Sequence, residues 1–276
     1  MRIIKNLYRI KVLTPKGLWH LMRGFFKEGT TLNLMLYFCA KMYPKRTALV
    51  QGSVTYNYQE FYEKSSVLAV HLANNNELAC GDRVGLMAKN SLEMSLALFA
   101  LSRVGVHVYL LNPEMTDGQL TKFIDQKNID FIVCDKEQLR KVKTTTLKYK
   151  WLVLVGELPE TIAKMIDQVS TQVLKRRKAG NVVVLTGGTT GDFKSTSRKQ
   201  SVFDFLNPLI ALIEKMQLHT FKSVYIPTPI YHGYGLAALI VSVLLGSEIH
   251  LTKGFNAIEA CKLIEKNKIE VVTLVP

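Results

Sequence analysis

Cysteine is sparse in this sequence of 276 residues: Cys39, Cys80, Cys134 and Cys261 form no CxxC pair and no Cys/His cluster. That excludes a zinc-ribbon site and a disulfide framework, and no metal-ligand set is expected. All four thiols sit among apolar neighbours and are expected to be buried. No cleavable leader is visible, so a reducing cytoplasm is the expected compartment. Long apolar runs are also missing. The strongest, "GLAALIVSVLLG" at 235–246, falls short of the roughly 20 residues that cross a bilayer and reads as a buried core helix. No fixed-period repeat appears, and no stretch is both weakly apolar and highly charged. With 48% apolar and 21% charged residues the chain should fold around a core almost throughout.

Acidic residues are few. Asp and Glu number 22 against 36 Lys and Arg, a net charge of +14, which favours anionic partners such as nucleotide phosphates or acidic lipid head groups. Nucleic acid is not expected, because zinc-finger spacing, RNP-type aromatics and a basic zipper are all missing. The imbalance is extreme at the start: the first 27 residues hold seven Lys or Arg and no acid, with Ile3, Ile4, Leu7, Trp19, Phe25 and Phe26 as apolar anchors. Residues 1–35 therefore read as a basic arm. It is either an interfacial helix in peripheral contact with a membrane surface or, the favoured reading, an arm packed on the domain with its basic face solvated. The run "LKRRK" (174–178) reads as a solvated helix end, with phosphate or an acidic carrier protein as the other reading.

From about residue 45, short apolar runs alternate with helical patterns. Strands are expected at 47–50, 83–88, 106–111, 130–135, 151–155, 181–186, 223–228, 247–251 and 269–275. Most are continuously apolar, as in strands covered on both faces. Helices are expected at 59–75, 91–105, 117–128, 201–217 and 257–268, and a surface helix and turn near 136–150, with Asn90 or Ser91 capping the second. The fold class is α/β: a mostly parallel, doubly wound sheet with helices on both faces.

The chemistry concentrates in "LTGGTTGDFKS" (185–195), after a strand and ahead of a helical pattern. Glycines let successive backbone amides point into one concavity, hydroxyls add donors and a lysine adds charge, which together make a polyphosphate cradle. A ligand-free surface turn is the plain alternative. From Gly188 the run fits G-x-x-x-x-G-K-[ST] except that Phe193 stands where the second glycine belongs, so a Walker-type phosphotransferase is a weak match.

The loop more closely resembles the T-S-G-T-T-G-x-P-K-G signature of the adenylate-forming family, which includes acyl-CoA synthetases, luciferases and peptide-synthetase adenylation domains. Thr186, Gly188, Thr189, Thr190, Gly191 and Lys194 match by position, while Gly187, Phe193 and Ser195 replace serine, proline and glycine. "TPIYHGYG" (228–235) resembles the family's P-x-x-H-x-x-G element at Pro229, His232 and Gly235. The G-D-x-V run at 81–84 and the L-N-P turn at 111–113 also agree, with Asn112 and Pro113 read as structural. The resemblance covers roughly residues 36–276, expected to be an incomplete N-terminal AMP-binding domain.

The resemblance implies that Thr186, Gly187, Gly188, Thr189, Thr190, Gly191 and Lys194 hold the β- and γ-phosphates of ATP, and that His232 lies between nucleotide and carboxylate. Lys194 and His232 are the expected catalytic residues. ATP, Mg2+ and coenzyme A are the implied cofactors. The implied activity is that of an acid-thiol ligase: a carboxylic acid, with a fatty acid preferred, becomes an acyl-adenylate and passes to coenzyme A or an acyl carrier protein. No Y-G-x-T-E element, later ribose aspartate or small C-terminal domain with its lysine appears by Pro276, and these are expected beyond it. A catalytically incomplete module binding nucleotide or acyl ligands is the alternative.

Overall fold

The structure, a computed structural model, describes residues 8, 11–145, 150–168, 170, 172–185 and 215–275. The expected α/β order holds across them. Helices α1 (Pro15–Glu28) and α2 (Leu32–Met42) precede β1 (Thr47–Gln51), β2 (Val54–Asn57) and α3 (Tyr58–Asn74). Then come β3 (Arg83–Met87), α4 (Leu92–Val104), β4 (His107–Leu111), α5 (Asp117–Lys127), β5 (Phe131–Cys134), α6 (Leu139–Thr145) and β6 (Lys150–Val153). A short α7 (Ile162–Met165) leads to β7 (Val182–Val184), and β8 (Ser223–Ile226), α8 (Gly233–Leu245), β9 (Glu248–Leu251), α9 (Ala257–Asn267) and β10 (Val271–Val272) follow. The helix expected at 201–217 lies almost wholly outside the described residues.

The strands divide between two five-stranded sheets, ordered β10-β8-β9-β1-β2 and β6-β5-β3-β4-β7. Every neighbouring pair is parallel except the β1–β2 hairpin. In the second sheet the period-two alternation serves two cores at once. Val84, Leu86, Phe131 and Val133 face the main core, while Met87, Ile132 and Cys134 face a second cluster under Leu120, Phe123 and Val142. Both faces are apolar, and so the strands read as continuous apolar runs.

Helix α4 is the shared layer. It touches β1 of one sheet and β4 of the other and is buried on every side except at Glu93, as expected of a helix apolar all round. Ser91, not Asn90, caps it, the hydroxyl accepting from Met94 N at 3.0 Å. Gly105 ends it in the left-handed region at φ 88, where a glycine costs little.

Two expectations need correction. Cys39 and Cys134 are buried, but Cys80 and Cys261 are exposed, because each lies on the outer side of its local turn or helix rather than under a sheet. The 174–178 run is not a helix end: it is irregular chain lying against the C-terminus of α1, where a Cβ on Gly29 would come within 3.3 Å of Arg177 O. Of the arm expected at residues 1–35, the described helix α1 packs on α2, and its solvated face is apolar as well as basic.

Candidate active site

In parallel α/β sheets, ligands gather beyond the carboxyl ends of the strands, where the chain leaves the sheet. Here the carboxyl ends of both sheets converge. Beyond β3 lies Asn90, 3% exposed, whose amide donates to Ile226 O and Thr228 O, each at 3.0 Å, and accepts from Ile230 N at 2.8 Å. Those partners belong to the turn after β8, so one buried side chain joins the β3–α4 turn to the β8–α8 turn. Three satisfied buried bonds make such a junction specific in geometry. Thr228 extends it, donating its hydroxyl to Thr273 O at 3.0 Å beyond β10.

Charged groups ring the same edge. Lys89 Nζ lies 3.5 Å from Glu114 Oε1 beyond β4, and the Lys89 amide donates to Asp135 Oδ2 beyond β5 at 2.7 Å. Burial pushes the Asp135 carboxyl above its usual range, partly offset by that amide and by the charge of Lys253 beyond β9. Burial also raises the Tyr231 phenol, with the charge of Glu114 adding to it.

The Pro229–Gly235 turn has a steric logic. The His232 amide donates to Pro229 O at 3.0 Å, closing the turn, and His232 becomes the N-cap residue of α8. The first turn of α8 then lies on the strand exit so closely that a Cβ on Gly235 would come within 2.2 Å of Pro229 O. Only glycine fits there. The His232 ring stacks obliquely on Tyr231 with centroids 4.6 Å apart, and desolvation lowers its pKa from the usual value, which favours the neutral imidazole.

Of the predicted site residues, His232 is thus described, at the convergent edge. Thr186, Gly187, Gly188, Thr189, Thr190, Gly191 and Lys194 lie outside the described residues. Their point of departure is described: β7 pairs in parallel with β4, Val182 opposite Val108 and Val184 opposite Leu110, so the chain leaves β7 for residue 186 on the same carboxyl side as β3, β4 and β5. Among the described residues no group of three or more His, Cys, Asp or Glu could hold a metal ion. The junction made by Asn90 is not visible in the sequence, where Asn90 stands only beside Ser91 as a candidate cap of α4. Asn90 sits 136 and 138 positions from the carbonyls it binds, and no local signal marks such a contact.

Parallel sheets with helices on their faces and a histidine turn at their common carboxyl edge define an α/β protein whose strand β7 runs, in sequence, into a Gly/Thr/Lys segment. The chain belongs to the AMP-binding enzyme family, whose sequence pattern matches residues 37–276. It is 23% identical over 263 residues to a 2-succinylbenzoate–CoA ligase of Staphylococcus aureus, covering 89% of this chain and 52% of that one. The fold is similar to that of a long-chain-fatty-acid-CoA ligase from Archaeoglobus fulgidus (TM-score 0.76, 20% identity, 88% of this chain and 51% of that one). It is also similar to o-succinylbenzoate coenzyme A synthetase from Bacillus subtilis in complex with ATP and magnesium ion (TM-score 0.69, 18% identity, 86% and 62%). The chain spans about half the length of the curated relatives it matches.

Proposed function

We propose that this chain supplies the nucleotide- and acid-binding half of an ATP-dependent carboxylate–CoA ligase. The observation that carries the reading is the steric closure of the Pro229–Gly235 turn, which fixes His232 where the two sheets' carboxyl edges meet. Family membership and the departure of residues 186–195 from that same edge support it. In this reading a carboxylate oxygen attacks the α-phosphorus of ATP, the bond to pyrophosphate breaks, and the thiol of coenzyme A then attacks the acyl carbon to release AMP.

Thr186, Gly187, Gly188, Thr189, Thr190, Gly191 and Lys194 would hold the phosphates through amides, hydroxyls and one positive charge, with Mg2+ neutralising charge on the leaving pyrophosphate. His232, exposed at the edge and with its neutral form favoured, would sit beside the acid and orient it rather than trap it. Asn90 would act through the turn, as a positioning residue.

For the acid we propose a fatty acid, supported by the apolar surface of α1 described below. An aromatic acid is the second reading, favoured by the name of the Staphylococcus relative. The apolar run of α8 decides neither, since Leu236, Leu239, Val241 and Val243 are taken up by the core.

Exchange of labelled pyrophosphate into ATP, measured on this chain and on the longest chain its gene encodes, tests the proposal. Exchange that depends on an added fatty acid is the expected result, and exchange only with 2-succinylbenzoate would reassign the substrate. Nucleotide binding without exchange for either acid in both chains would overturn the ligase reading in favour of a binding module.

A further inference from the structure

Helix α1 is built inside out relative to an ordinary surface helix. Its protein-facing side carries glycine: Gly17 and Gly24 are buried, and a Cβ on Gly24 would come within 2.7 Å of Tyr37 Cδ1 and 2.9 Å of Leu34 Cδ1. Leu21 packs against the core, but the other large apolar side chains point the other way. Leu18, Trp19, Met22, Phe25 and Phe26 are 47%, 54%, 50%, 39% and 67% exposed, and at i, i+1, i+4, i+7 and i+8 they form one continuous stripe. Water gains nothing from that arrangement, since five large apolar groups on one helix face form the kind of patch that marks an interaction surface.

The helix is held rigidly in this orientation. Glu28 in its last turn is buried and ion-paired to Arg103 at 2.9 Å, and accepts from Tyr62 Oη at 2.6 Å. The apolar stripe therefore cannot roll inward without breaking a buried pair.

Basic groups border the stripe on both flanks. Lys16, Arg23 and Lys27 are exposed and share the adjoining face of the helix by their spacing. From a distant part of the sequence, Arg176 brings its guanidinium 4.7 Å from the Phe25 ring, with Lys175 and Lys178 exposed beside it. The acid nearest in sequence, Glu28, is consumed internally. An apolar stripe rimmed by cations from two separate segments calls for a partner that is apolar within and negatively charged at its surface. A second copy of the chain would oppose cation to cation at the rim.

We propose that α1, with the 174–178 segment, docks the protein on an anionic phospholipid surface, the apolar side chains entering between head groups and the cations meeting lipid phosphates. No described helix is long and apolar enough to cross a membrane. The inference stands independently of the ligase reading.

Co-sedimentation of the chain with vesicles tests it, comparing phosphatidylcholine alone with phosphatidylcholine mixed with phosphatidylglycerol. The expected result is binding at least about tenfold tighter to the anionic vesicles, weakening as salt is raised. In a Trp151→Phe background Trp19 is the only tryptophan, and its emission should shift to the blue on binding. Phe26→Glu should lower affinity by about tenfold or more and Arg176→Gln by several-fold. Both positions are exposed, and an unchanged thermal melt would show that the fold is kept. Equal or no binding to the two vesicle types would overturn the proposal. So would a vesicle-independent dimer lost in Phe26→Glu, which would assign the stripe to a second copy.

Discussion

Single residues show how burial decides chemistry in this chain. Burial pushes the Cys39 thiol up to about 12, and its S–H donates to Val243 O at 3.0 Å. Burial, with Asp135 and Glu137 adding to it, raises Cys134 to about 12. Since the thiolate is the reactive form, Ellman's reagent should modify only the exposed Cys80 and Cys261 in the native protein, with the two buried thiols reacting after denaturation. Rapid reaction of Cys39 in the native state would contradict its place under α8. The Glu28–Arg103 pair makes a second case. Arg103→Met strands a buried carboxylate and should cost about 3 to 5 kcal/mol of stability in urea unfolding, whereas Glu28→Met combined with Arg103→Met should recover most of that loss. A single mutant as stable as the parent would show that the pair anchors nothing.

Among the elements, the β8–α8 turn is where sequence and structure meet most closely. Gly235→Ala inserts a methyl 2.2 Å from Pro229 O and should destabilise by about 1 to 3 kcal/mol in thermal unfolding. Gly233→Ala is the control, since a Cβ there meets nothing within 4 Å, and it should leave the melting temperature near that of the parent. Equal effects would mean that the close approach does not hold. The Pro, His and Gly of this turn were legible through the family resemblance, which names three positions within seven residues, and the turn they form is local. Asn90 or Ser91 was legible as the cap of α4 and Ser91 holds that place, but the role of Asn90 was hidden because its partners come from a different sheet. The strands of the second sheet were legible because both faces are apolar. Strand β2 was not, its residues being half-buried or exposed at a sheet edge, with no apolar run to see. The division into two sheets was equally hidden, because apolar runs say that a strand is buried and not which strand lies beside it. In α1 the sequence showed apolar and basic groups together, but the inward turn of its glycine face depends on close approaches that no local pattern shows: Gly24 against Tyr37 and Leu34, and Gly17 against Lys11, Val12 and Thr14.

The whole molecule carries two surfaces of interest: a convergent carboxyl edge where an acid and ATP would meet, and an apolar, cation-rimmed helix facing outward. Both proposed partners are anionic, in keeping with the excess of positive charge, +14 over the chain. The central claim is that the chemistry at the convergent edge is attack of a carboxylate on the α-phosphorus. Turnover of a carboxylic acid labelled with 18O in both carboxylate oxygens, with ATP and coenzyme A, on the longest chain the gene encodes tests this most directly. The account predicts that one labelled oxygen appears in AMP, and that Lys194→Ala slows its appearance by about a hundredfold or more, as loss of a charge-stabilising donor does. Label in inorganic phosphate with ADP as product would contradict it, since the attack would then fall on the γ-phosphorus and the chain would act as a phosphotransferase.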